Sequence, residues 1–117
     1  MKTRAEIEFH NEVVRGAKAL KSDGYNPVRF MHMVYDIGAP DAARQLIGAS
    51  GTSDGFTTLY EMQLLHMSIE AMALLPWYAS LFTPPQITSA RARLAAHQFN
   101  VPLFLASAQA APPSWWP

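Results

Sequence analysis

Two carboxylates and a histidine carry the first candidate chemistry. Glu61 and Glu70 lie in the apolar run YEMQLLHMSIEAMALL, with His66 between them. Apolar surroundings raise a carboxyl pKa toward the range where a general acid or base works. A small enzyme built on Glu61, Glu70 and His66 around a pocket is therefore one reading. Both acids also read as helix-start residues. Glu61 would close a capping box, Thr58-Leu59-Tyr60-Glu61. Glu70 would sit in the first turn of a helix capped by Ser68, where a negative charge meets the positive end of the macrodipole. This second reading explains both positions with fewer assumptions.

Other catalytic and ligand patterns are thin. Of the histidines His10, His32, His66 and His97, none forms an H-x3-H or H-E-x2-H pair. Glu6 and His10, four apart, could hold one edge of a metal, but two such residues on an exposed face read more simply as an ion pair. With no cysteine in the chain, disulfide scaffolds, thiolate nucleophiles and Cys-type zinc sites fall away. There is no G-x-S-x-G elbow. The turn GASGTSDG, residues 48 to 55, lacks the G-x4-G-K-[ST] of a phosphate loop. No metal and no cofactor is expected.

Binding chemistry is better represented. Arg29 and Asp54 stand beside aromatic residues and turns; Arg29 is placed to bridge to Asp36 or Asp54, or to hold an acidic partner. Trp115 and Trp116 close an uncharged tail. Exposed tryptophans are costly in water and enriched at binding hot spots, so they should fold back on the domain or enter a groove on a partner or second copy. Met31, Met33, Met62, Met67 and Met72 could form an adaptable surface, although their helical spacing suits a core. Residues 27–47 could form a helix-turn-helix around Gly38. Its second helix offers only Arg44 and Gln45 to read DNA, against the simpler reading of two packed helices.

The elements that must position these residues are marked by caps. Thr3-Arg4-Ala5-Glu6 is a capping box opening a helix over about 4–21, which Gly24 ends. Asn26-Pro27 starts another, with Phe30, Met33, Val34 and Ile37 at helical spacing. Gly38 stops it; Pro40 and Asp41 open the next, with Ala43, Leu46 and Ile47 inward. Ser53-Asp54-Gly55 reads as a turn leading into the Thr58 box, whose helix runs to Leu65 or His66, with Phe56 stapling the join against Tyr60. Pro76 ends the Ser68 helix near Leu75, and Trp77 and Tyr78 follow as core anchors. Thr83-Pro84-Pro85-Gln86 opens a helix over about 84–98. No stretch alternates like a strand. The pattern predicts an all-α, single compact domain of about six helices over residues 1–100. Residues 101–117 should form a Pro/Trp-containing tail, extended or partly helical or docked.

Along the chain run GYNPVRF, SDGFTTLYE and SIEA, followed by W-x3-LFT and AR-x-RL. In this order they resemble a family of small, uncharacterised bacterial helical proteins over residues 24–99. The resemblance implies no activity; it suggests a bacterial or mobile-element origin and a defence or counter-defence setting. The chain departs from the family at Gln63-Leu64-Leu65-His66, where relatives read Gly-Arg-Leu-Asp.

The bulk numbers narrow the function. The 117 residues are half apolar, with nine basic and nine acidic side chains. A nucleic-acid binder usually carries a basic excess, so DNA is not favoured. The N-terminal stretch has no apolar core of a signal peptide, and MALLPWYASLF is far short of a membrane span. A cytoplasmic setting is expected. The leading expectation is a small non-catalytic interaction protein that binds another protein, as inhibitors, antitoxins and adaptors do, with self-association left open. A DNA-binding regulator and the Glu61–Glu70–His66 enzyme are the alternatives.

Overall fold

Residues 2–117 are described by a computed structural model. Seven α-helices follow one another: α1 Arg4–Ser22, α2 Val28–Ile37, α3 Ala39–Gly48, α4 Asp54–Glu61, α5 Ile69–Leu74, α6 Pro84–Ala96 and α7 Val101–Gln109. Two 3-10 turns, Leu65–Met67 and Ala79–Leu81, flank α5. No strand occurs among the described residues. The radius of gyration, 13.3 Å, is close to the value of about 13 Å for one folded domain of this size.

Helix α5 is the buried centre. Every residue from Glu70 to Leu74 is buried. Ala71 and Ala73 are small enough to let α3 and α6 approach, and these present Ala42, Ala43 and Ala90, all fully buried. Large side chains close the ends of this small-residue centre. Phe9 of α1 stands edge-on to Tyr78 and Phe82, with ring centroids 5.1 and 5.8 Å apart, a favoured aromatic geometry. The Tyr78 hydroxyl donates to Glu12 on α1 at 2.7 Å. That bond satisfies the one polar atom this ring buries.

Hydroxyl caps set where the helices begin. Thr3 and Glu6 form a reciprocal capping box, as do Thr83 and Gln86. The Ser68 hydroxyl accepts from the Ala71 N–H at 3.1 Å. Each cap satisfies a backbone donor that a helix start leaves unpaired.

Two starts differ from expectation. Thr58 caps nothing, and Glu61 closes no box; Thr58 to Glu61 is the second half of α4. The cap is Ser53, whose hydroxyl accepts from the Phe56 N–H at 3.1 Å. A start at Ser53 places Phe56 and Leu59 three apart on the buried face, whereas a start at Thr58 would leave Phe56 outside the helix. Asp54, read as a turn residue, is the first residue of α4, where its charge suits the helix dipole. Helix α2 begins one residue later than Asn26-Pro27 implied: Pro27 is the N-cap, and its carbonyl accepts the first helical bond from Met31. Beyond Phe99, Asn100 caps α7 through the Leu103 N–H, and Pro102 fills its first turn.

Candidate functional site

A cleft of about 440 Å³ opens between α1, α2, α4 and α5. On the α1 side it is lined by Glu12, Val13, Gly16, Ala17 and Leu20. Those positions step by three and four and lie on one helix face. From Glu12 to Leu20 the wall is about 12 Å long, at roughly 1.5 Å per residue. The other sides bring Phe30, Phe56 and four methionines, Met31, Met33, Met67 and Met72. Unbranched thioether side chains can refill the space around differently shaped occupants.

Glu70 reaches this cleft from α5 and is 1% exposed. Its carboxylate receives Arg93 of α6 at 3.3 Å. Burial pushes the Glu70 carboxyl above the usual carboxylate range, while its own backbone N–H and the Arg93 charge pull the other way. The Arg93 guanidinium is shared. It also donates to the carbonyls of Ile47 at 2.8 Å, Leu46 at 3.4 Å and Ala49. These are acceptors at the C-terminal end of α3, and a cation is favoured there. Arg93 thus ties α6 to the end of α3, and Glu70 balances its charge beside the cleft.

The mouth is charged and exposed. Arg29 Nη1 lies 3.9 Å from Asp54 Oδ2, and both side chains are fully exposed. Such a pair contributes little to stability and remains available to an incoming group. Tyr25 leans over the first turn of α4. A Cβ on Gly55 would lie 2.8 Å from the Tyr25 hydroxyl oxygen, so glycine is what permits this approach. Burial and the Asp54 charge together raise the Tyr25 pKa.

The structure therefore brings together Arg29, Asp54 and Glu70, which line one cleft. Residues from GYNPVRF, SDGFTTLYE and SIEA all meet there. Glu61 and His66 do not join them: both are exposed, and neither lines the cleft. Trp115 and Trp116 lie elsewhere, on Tyr78 and Trp77 at centroid distances of 6.0 and 6.5 Å. Arg44, half-buried, donates to the Leu81 carbonyl and to Asp41, each at 2.7 Å. Of the two DNA-reading candidates, Gln45 is the exposed one. Glu6 is spent on the Thr3 capping box, and the His10 Nδ1 accepts the Ala39 N–H at 3.4 Å. No group of three or more His, Asp or Glu side chains suited to a metal occurs among the described residues. His97 instead stands between Phe56 and Tyr60, edge-on to each at 4.9 and 5.0 Å.

Sequence gives Arg93 no role beyond its place in AR-x-RL, and gives Gly16 none. The signal for Arg93 was indirect: an acid in IEAMAL, if buried, demands a cation. The signal for Gly16 was a glycine in a helical stripe that is otherwise Val13, Ala17 and Leu20.

Comparison with protein-family models, curated proteins and solved structures finds no match for this chain.

Proposed function

We propose that this chain is a non-catalytic binding protein, and that its cleft receives an apolar helical segment of another protein. The observation that carries the proposal is the cleft's composition. Each carboxylate lining it already has a partner: Glu70 is paired with Arg93, Glu12 accepts from the Tyr78 hydroxyl and Asp54 stands beside Arg29 at the mouth, while the remaining wall is largely apolar and rich in methionine. Acid–base chemistry needs groups converging on a reacting atom; Glu61 and His66 stand outside. Helix-in-groove recognition needs an apolar trough at least two turns long. The α1 wall supplies that length. The exposed Arg29 and Asp54 at the mouth would fix the orientation of the incoming helix through its polar flank, since charges at an interface rim set register more than affinity. Inhibitor, antitoxin and adaptor proteins act in this way, and the bacterial or mobile-element setting implied by the motif resemblance suits such a role.

The test is site-specific photo-crosslinking in cells, with a photoreactive residue at Met33 in the cleft and, as control, at the exposed Arg91 on α6. The proposal expects polypeptide adducts from position 33 and few from position 91. Equal adducts from both positions would contradict it. So would a small molecule that co-purifies with the protein and is released when the cleft is blocked.

A further inference from the structure

Residues 101–117 are attached to the body in an unusual way. Among the described residues, no hydrogen bond and no ion pair links them to residues 2–99. The side-chain and backbone bonds of this segment stay within it or go to Asn100. Its hold is apolar contact alone: Val101 is buried, Phe104 packs on Phe99 at 5.3 Å, and Trp115 and Trp116 lie on Tyr78 and Trp77. The seat itself is built without the arm. Tyr78 is fixed by Glu12 and by the edge of Phe9, and Trp77 is buried beside it.

The joint between α6 and the arm is under strain. The chain leaves α6 through Gln98, at φ +58°. The Gln98 N–H bonds to the Ala95 carbonyl and the Phe99 N–H to the Leu94 carbonyl. This closing turn favours glycine in the left-handed position, and glutamine pays a steric penalty there. Opening the joint releases that penalty. Pro102 prevents an opened joint from joining α6 to α7 as one straight helix, because proline in a helix interior loses a hydrogen bond and clashes. The open form is therefore extended at residues 98–100, which can span up to about 10 Å.

The arm also leaves an apolar face uncovered. Leu103 is 65% exposed, and Pro102, Ala106 and Ala110 are exposed near it. No charged residue occurs between 101 and 117. In a two-fold pair the same patch meets itself, so an uncharged patch is self-complementary where a charged one would repel its copy.

We propose that residues 101–117 are an exchangeable arm, and that two copies of this chain pair by seating each arm on the other's Trp77 and Tyr78. The arm's contacts with Trp77 and Tyr78 are then made between chains, the joint relaxes, and the two α7 outer faces cover each other. The pairing is separate from the cleft and stands whether or not the cleft binds a protein.

Sedimentation of the full-length protein tests this. Gln98→Pro cannot adopt a positive φ and forbids the closed joint; Gln98→Gly makes the closed joint easier. The wild type should dimerise reversibly, Gln98→Pro more tightly and Gln98→Gly more weakly, with about tenfold or more in dissociation constant between the two variants. The Gln98→Pro dimer should keep its tail tryptophans shielded from a soluble quencher. In the Gln98→Pro chain, where the closed monomer is forbidden, adding Trp115→Ala and Trp116→Ala should weaken the dimer at least about tenfold. A wild type that stays monomeric to about 1 mM overturns the proposal, as does a Gln98→Pro dimer indifferent to the loss of both tryptophans. A folded Gln98→Pro chain that is monomeric, with its tail tryptophans open to quencher, also overturns it. Should Gln98→Pro lose its helical content, the wild type and Gln98→Gly carry the same decision, and a Gln98→Gly dimer as tight as the wild type's overturns the proposal.

Discussion

The two flanks of α5 are held by different means. On one side, α3 and α6 are fastened by directional bonds: Arg93 reaches Glu70 and three carbonyls at the end of α3, and Arg44 reaches the Leu81 carbonyl. On the other, α1, α2 and α4 face one another across a cleft of about 440 Å³ lined with methionine, phenylalanine and small side chains. Bonds with fixed geometry leave one arrangement; apolar contact tolerates several. Glu70 touches both flanks, so the fastened side forms the back wall of the open one. The difference shows where a small helical protein can keep open space: away from its polar fastenings.

The fastened flank is most vulnerable at Arg93. Arg93→Ala leaves Glu70 buried without its cation and three carbonyls without their donor. Removing one member of a buried pair costs about 3–5 kcal/mol, which a shift in the urea midpoint would report. A loss below about 1 kcal/mol, the range of a surface pair, would mean the flank is not fastened there.

A pH series sharpens the same point. Burial raises the Glu70 pKa in the folded state. The folded protein then holds its proton where the unfolded chain has released it. This contribution to stability is fully present below the ordinary carboxylate range and is lost as pH rises through the raised folded value. Subtracting the stability profile of Glu70→Gln from that of the wild type should give a difference that falls with rising pH in that window. A flat or rising difference would contradict the assignment.

On the open side, Gly55→Ala should cost about 1–3 kcal/mol, the range for overpacking, because the new methyl meets the Tyr25 hydroxyl. Tyr25→Phe in the same chain should recover most of the loss. A double-mutant cycle showing no coupling would separate Tyr25 from α4.

The smallest effect is expected at the end of α4, away from the cleft lining. Gln63, like Gln98, ends a helix at positive φ. Gln63→Gly should stabilise by about 0.5–1 kcal/mol, read as a raised melting temperature with the cleft chemistry unchanged.

Much of this architecture was written in local signals. Thr3, Ser68 and Thr83 each bond to an amide three residues on, so sequence neighbours suffice to reveal them. The start of α4 was ambiguous locally, since Ser53 and Thr58 both head a plausible helix; burial of Phe56 decided between them, and burial is a tertiary fact. Helix α7 was marked by Asn100 and Pro102, but its uncharged, proline-rich surroundings read equally as a tail. The site was legible only in pieces. Arg29, Asp54 and Glu70 stood out by residue type, yet nothing local says that they meet. Arg93 and Glu70 are 23 residues apart, and Gly55 meets Tyr25 only through the fold.

Gly16 offers the most direct measurement of whether the cleft is the binding site. It lies in the α1 wall, and a Cβ added there meets nothing within 4 Å. Gly16→Leu should fill the cleft while leaving the fold intact, because leucine is also the better helix former by about 0.5–1 kcal/mol. Its urea midpoint and its adducts from a photoreactive Met33 position should be measured on the same samples. An unchanged or higher midpoint with the polypeptide adducts lost is the predicted result. An unchanged midpoint with the adducts undiminished would show that the partner binds somewhere else.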